Sequence, residues 1–201
     1  MRIVVFGAAG RGGGAVVEEA VSRGHDVLAV ARRPIEAKAP SAVGDITDAA
    51  SVAALVSGAD VVVSSVYDGN ADATAFYTAA AESLVGGGVR TVHVTLSTLR
   101  GPSRLVDAPE FPEVYRGFNL GHAAGLERLA ASGLEWTAIS PVTDFDAEAG
   151  RSGGYELDSA ALTGMEQLGE RKVSFADFAI AVVDEAEKGA HVGSHIGVGP
   201  A

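Results

Sequence analysis

The chain has 201 residues with 26 Asp and Glu against 15 Lys and Arg, a formal charge of −11, and that balance opposes nucleic acid and anionic membrane surfaces, which need a basic footprint. It holds no cysteine, which excludes disulfides and thiolate chemistry and agrees with a reducing compartment. The length suits a single domain with a full α/β core. No apolar run approaches the roughly 18 residues that span a bilayer, and the first residues read as a core strand in place of a signal segment, so a cytoplasmic protein is expected.

Arg2-Ile3-Val4-Val5-Phe6 is a short β-branched and apolar run, the pattern of a buried strand, and residues 15–21 have the apolar spacing of a helix. Between them lies Gly7-Ala8-Ala9-Gly10-Arg11-Gly12-Gly13-Gly14, a GxxGxxG spacing. Gly7 permits a sharp turn, Gly10 lets a diphosphate approach the backbone, and Gly13 lets the helix pack closely, while the helix N-terminus turns free N–H groups toward anions. Residues 22–25 close this helix at Gly24, and residues 26–31 form the second strand. Arg32-Arg33 follows. An acidic residue at this place commonly holds the ribose 2′-hydroxyl of NAD, whereas paired arginines suit a 2′-phosphate, so NADP is favoured over NAD. Two arginines on a solvated loop are the plainer alternative. Residues 1–40 carry a local net charge of +2 within an otherwise acidic chain.

Residues 41–44 predict a third strand. Asp48 or Thr47 caps a helix over residues 49–57, which leaves Asp45 free at a strand end to meet an adenine amino group. Residues 61–66 form an apolar strand whose end, Ser64-Ser65-Val66, is small enough to leave room for a cofactor beyond the sheet. A helix over residues 71–85 and a strand over residues 90–96 follow. Residues 99–113, with three prolines and no period, read as a long surface loop. A helix over residues 114–131 leads to a strand over residues 133–141. After Val142 the alternation breaks down. A hairpin is expected between residues 155–157 and 171–173, Ser174-Phe175-Ala176-Asp177 reads as a capping box opening a helix through Lys188, and residues 196–198 add a last strand. Residues 142–201 are expected to lie as a cap over the strand tips.

Gly7-Ala8-Ala9-Gly10-Arg11-Gly12-Gly13, Gly44-Asp45-Ile46-Thr47-Asp48, Thr95-Leu96-Ser97 and residues 133–141 coincide in one chain. Together they resemble the NmrA-like, NAD(P)-binding branch of the atypical short-chain dehydrogenase/reductase family, nearest to its NADH-flavin reductases and NADPH-dependent flavin/biliverdin reductases. The resemblance covers nearly the whole chain. It implies a doubly wound parallel-sheet Rossmann fold and hydride transfer from a reduced nicotinamide to a small aromatic or conjugated acceptor; with the paired arginines, the leading expectation is an NADPH-dependent reductase of flavins, quinones or similar planar acceptors. It further implies that Gly7, Ala9, Gly10, Arg11, Gly12 and Gly13 hold the diphosphate region, Arg32 and Arg33 the adenosine phosphate, and Asp45 and Ile46 the adenine. Ser64, Ser65 and Val66 would line the ribose and nicotinamide, Ser97 matches the strand-tip serine, and Pro141-Val142 runs beside the nicotinamide.

The departures are informative. Classical members pair tyrosine with lysine in Tyr-x-x-x-Lys; here Tyr115-Arg116-Gly117-Phe118-Asn119 has asparagine in the lysine place, so no cation activates the phenol and alcohol dehydrogenation is disfavoured. Val142 stands where the biliverdin reductase branch often has histidine. His122 matches a histidine of that branch at the start of its helix, and near-neutral titration would suit a proton donor, although a solvated or helix-capping histidine fits the same position. Ser97 or water is the other proton source. His93 is expected to be a satisfied core residue. His191 and His195 lack the context of a metal site, and no metal is expected. A monomer or weak homodimer with a small-molecule acceptor is the expected state. A non-catalytic NADP(H) sensor is the rival reading, and an epimerase lacks its acid/base pair.

Overall fold

The first strand explains the architecture. In β1 (Arg2–Phe6), Ile3 and Val5 enter one apolar core and Val4 and Phe6 the other, so an unbroken apolar run is what a strand buried on both faces requires. The computed structural model describes residues 1–201. The chain continues through α1 (Arg11–Ser22), β2 (Asp26–Ala31), β3 (Ser41–Val43), α2 (Ala49–Val56), β4 (Val61–Ser64), α3 (Ala73–Gly87), β5 (Thr91–Val94), α4 (Glu113–Ala130) and β6 (Trp136–Pro141). It ends with β7 (Asp144–Asp146), β8 (Tyr155–Leu157), β9 (Lys172–Ser174), α5 (Phe175–Lys188) and β10 (His195–Pro200). The main sheet runs β3-β2-β1-β4-β5-β6-β10-β8. All of its pairings are parallel except that of β8 with β10. Helices α1 and α5 cover one face, and α2, α3 and α4 the other. This is the doubly wound Rossmann arrangement. Strand order reverses between β1 and β4, which opens a crevice at their carboxyl ends. No helix is long and apolar enough to cross a membrane.

Several expectations are corrected. Helix α1 begins at Arg11, four residues before its apolar stripe, with Gly10 at the N-cap; Gly12 to Gly14 therefore form the first helical turn. Strand β4 ends at Ser64, so Ser65 and Val66 already belong to the crevice. Residues 99–113 are a packed segment, because Leu99, Leu105, Val106 and Phe111 form a third core with Ala123 and Leu162. The expected hairpin does not form: β8 pairs antiparallel with β10, and β9 pairs parallel with β7. The cap is smaller than residues 142–201, since β10 is an inner strand of the main sheet and α5 packs beside α1. Only half of the expected capping box forms, because the Asp177 carboxylate turns to other donors in place of the Ser174 amide. Ser174 Oγ accepts from the Asp177 amide at 3.0 Å, and the Asp177 carboxylate accepts from the Ser152 and Gly153 amides at 2.9–3.0 Å, tying the loop after β7 to the start of α5.

Candidate functional site

The glycine turn is sterically compulsory. Gly7 has φ +83°, and a β-carbon there would lie 2.0 Å from the Ser65 carbonyl oxygen; one on Gly13 would lie 2.3 Å from the Gly7 oxygen. The strand-to-helix turn thus packs against itself and against the end of β4. The first helical bond runs from the Gly14 amide to the Gly10 oxygen at 2.8 Å, which leaves the amides of Arg11, Gly12 and Gly13 projecting from the helix end. No side chain caps α1 and no acidic residue occupies its first turn. An exposed glycine at the N-cap, free amides and the positive end of a helix fit a diphosphate.

Beside the turn a cavity of about 200 Å³ runs from Gly7, Ala9 and Gly10 past Arg32 to Ile46 and Phe76, with Ser65, Val66 and Tyr67 on its other wall. Its apolar walls and its place at the end of β2 fit an adenosine. Arg32 and Ile46 line this cavity, and so do Ser65 and Val66, which were expected at the ribose and nicotinamide. Arg33 is exposed and does not line this cavity. Asp45 is not free: its carboxylate accepts from the Thr47 amide at 2.9 Å and hydroxyl at 2.8 Å, and it faces an adjoining recess. Asp48 is the cap of α2, accepting from Ala50 N at 2.9 Å and Ser51 N at 3.3 Å.

At the other end of the crevice the expected residues separate. Ser65 Oγ comes within 3.0 Å of a β-carbon position on Gly12, whereas Ser64 is fully buried and meets His93 Nδ1 at 3.3 Å; successive residues leave a strand on opposite faces. Ser97 is buried and donates to the Thr143 carbonyl at 2.9 Å. Pro141 and Val142 are buried too, and their carbonyls accept from Arg100 at 2.8 and 2.7 Å. Sequence reasoning missed Arg100, which sits in an aperiodic segment with nothing to distinguish it from a surface arginine. It is 2 % exposed and also donates to Ser140 Oγ and the Ala160 carbonyl at 3.1 Å each, so residues 158–162 are drawn down onto the tip of β6.

His122 corrects the proton-donor expectation. It lies in the middle of α4, 5 % exposed, with its ring 3.7 Å from that of Tyr77 and 4.8 Å from that of Phe118 and Nδ1 3.4 Å from Thr95 Oγ1. Burial, and then His93, hold its pKa well below the usual histidine value, so the imidazole is neutral near pH 7. His93 is a core residue but not a satisfied one, because its buried Nε2 has no partner; burial pushes its pKa down to about 4. Asn119, in the lysine place, accepts from the Thr98 hydroxyl and donates to the Tyr115 carbonyl, while Tyr115 is exposed. Near the turn, Phe145 and Phe175 stack at 4.3 Å and the Arg11 guanidinium lies 4.8 Å over the Phe175 ring.

A parallel sheet with its switch point at a glycine turn, free helix amides and an apolar adenosine-sized cavity define a dinucleotide-binding Rossmann protein. The chain belongs to the NAD(P)H-binding family, whose model matches residues 7–188, and the NmrA-like resemblance is borne out. A Bacillus subtilis protein of unknown role, YwnB, is 27% identical over 203 residues, 95% of this chain and 94% of that one. Among solved structures, a Streptococcus pneumoniae protein provisionally named a NADH-flavin reductase is 28% identical with a TM-score of 0.87, both chains covered in full. A Burkholderia pseudomallei protein provisionally named as exported is 34% identical with a TM-score of 0.84, 99% of each chain being covered.

Proposed function

We propose that this protein is an NAD(P)H-dependent reductase of flavins, quinones or similar planar, electron-poor acceptors, with Arg32 the group that would meet the 2′-phosphate of NADPH. The observation that carries this reading is the glycine turn at the switch point, opening onto an adenosine-sized cavity with Arg32 at its mouth; the name of the S. pneumoniae neighbour supports the reaction class. Gly7, Ala9, Gly10, Arg11, Gly12 and Gly13 would hold the diphosphate and Ile46 and Phe76 the adenine, with Ser65 and Val66 on the facing wall of the same cavity. A reduced nicotinamide, when bound, supplies the hydride. The residues of the chain contribute position: Ser97 fixes the Thr143 carbonyl and Arg100 the carbonyls of Pro141 and Val142, so the tip of β6 is held rigid beside the site. With His122 neutral and the Ser97 proton engaged, water is the proton source. Mixing the protein with NADPH or NADH and FMN, FAD or a quinone, and following nicotinamide absorbance, tests the reading. Acceptor-dependent oxidation is expected; binding of the nicotinamide without turnover by any of these acceptors counts against a reductase.

That second outcome is the signature of a non-catalytic NADP(H) sensor, and one observation favours it. Ser97, Pro141 and Val142 are buried, and residues 158–162 close over β6 through Arg100, which limits the room for an acceptor there. A sensor would bind the oxidised and reduced cofactor with different affinities, measurable by calorimetry.

A further inference from the structure

Arg32 is the residue on which a preference for NADP(H) rests, and its guanidinium is already engaged. Nη1 donates to Oδ2 of Asp68, a residue 36 positions away on the loop between β4 and α3. The carboxylate is the better-anchored partner. Its Oδ1 accepts from the Asn70 amide at 2.9 Å, and its side chain is 15% exposed against 53% for Arg32. The Asn70 amide, and then Arg32, hold its pKa below the usual carboxylate range, so it is charged near pH 7. Nor is Asp68 the only acid nearby. The recess beyond Arg32 is lined by Asp45, Asp68 and Asp72, with Asp45 bonded to Thr47 and Asp72 to the Ala75 amide at 2.8 Å. One arginine thus shares its recess with three carboxylates and is paired with one of them.

Two cofactors meet this arrangement differently. A 2′-phosphate must draw Arg32 from Asp68 and enter a field of like charge, whereas a ribose 2′-hydroxyl can donate to a carboxylate without separating the pair. We infer that Asp68 is a specificity-determining residue of the cofactor site: by occupying Arg32 it restrains discrimination for the 2′-phosphate, so that the chain accepts NADH alongside NADPH. This rests on the proposed reading that a nicotinamide dinucleotide occupies the cavity beside Arg32.

The test is a cycle of variants read by titration calorimetry at low salt with NAD⁺ and NADP⁺, and with AMP and adenosine 2′,5′-bisphosphate as probes of the adenosine half alone. Asp68→Asn keeps an acceptor for the Asn70 amide and removes the charge; Asp68→Ser is a second neutral replacement that retains an acceptor. Either is expected to shift relative affinity toward the 2′-phosphorylated member of each pair by about tenfold, and the gain is expected to fall below about threefold in an Arg32→Ala background, because neighbouring charges couple. An unchanged ratio in both replacements overturns the inference. So does an equal gain with and without Arg32, which would make Asp68 a distant charge, and so does a gain that disappears with Arg33→Ala instead. Absence of binding by all four probes to the wild-type chain would sink the dinucleotide reading itself, and the inference with it.

Discussion

At Gly7 and Gly13 there is no room for a methyl group. A β-carbon on Gly13 would press into the Gly7 carbonyl at 2.3 Å, backbone that cannot yield without moving the turn. Gly13→Ala is therefore expected to cost about 2 kcal/mol or more and to weaken dinucleotide affinity beyond that loss of stability, which thermal melts and NADP⁺ titration of the same preparation will separate. Gly10 is different: its β-carbon would meet only the Gly7 oxygen at 3.3 Å, so Gly10→Ala is expected to fold near normally while obstructing the diphosphate. Wild-type affinity in Gly10→Ala would remove the turn from the site. These glycines were legible in the sequence because a backbone constraint is local. The partners of Arg32, Arg100 and His122 were not, since each is set by segments brought together only by folding: Asp68 from another loop, the carbonyls of β6, and the rings of Tyr77 and Phe118.

Helix α5 shows how an element and its neighbour share one cap. Ser174→Ala removes the bond to the Asp177 amide and is expected to cost about 1 kcal/mol. Asp177→Ala should cost more and act farther away, because the Ser152 and Gly153 amides lose their acceptor; faster hydrogen exchange in residues 147–154 would show it, and unchanged protection there would contradict it. Arg100→Met leaves the carbonyls of Pro141, Val142 and Ala160 without their donor, at about 1–3 kcal/mol for each group that stays buried and unpaired. Exchange should then quicken at residues 158–162 ahead of global unfolding. The long elements were readable because strand and helix periods differ. The three-residue strands β7, β8 and β9 carry too few positions to show a period, and their pairings join distant segments, so the hairpin expected between residues 155–157 and 171–173 was the nearest-neighbour solution and the wrong one.

The molecule as a whole is built to fold near neutrality and above. Burial lowers the pKa of His93 to about 4 and that of His195 to about 3, and holds His122 well below the usual value, against about 6.5 in an unfolded chain. Protons bind the unfolded form more readily, so the stability these groups contribute is present above about pH 6.5 and declines as pH falls toward their folded values. A tenfold difference in proton affinity between the folded and unfolded forms is worth about 1.4 kcal/mol. Asp177 adds a second, lower window: burial opposes its charge, yet the amides of Ser152 and Gly153 outweigh that and depress its pKa, so its contribution is lost only below about pH 4. Urea midpoints should fall steadily from pH 7 to pH 5, and a flat profile over that range would mean that the three histidines are not buried as described.

The main sheet ends in β3 on one side and β8 on the other, three residues each, with Val43 and Leu157 exposed on them. A strand that short offers a neighbouring molecule only a fragment of a ladder, too little for stable edge-to-edge pairing. The interior strands, among the most apolar segments of the chain, are thus insulated from other copies as long as the two ends stay in place. Fraying of β3 or β8 is the event that would expose a template for pairing with another copy, at the margins of the sheet and not in its core.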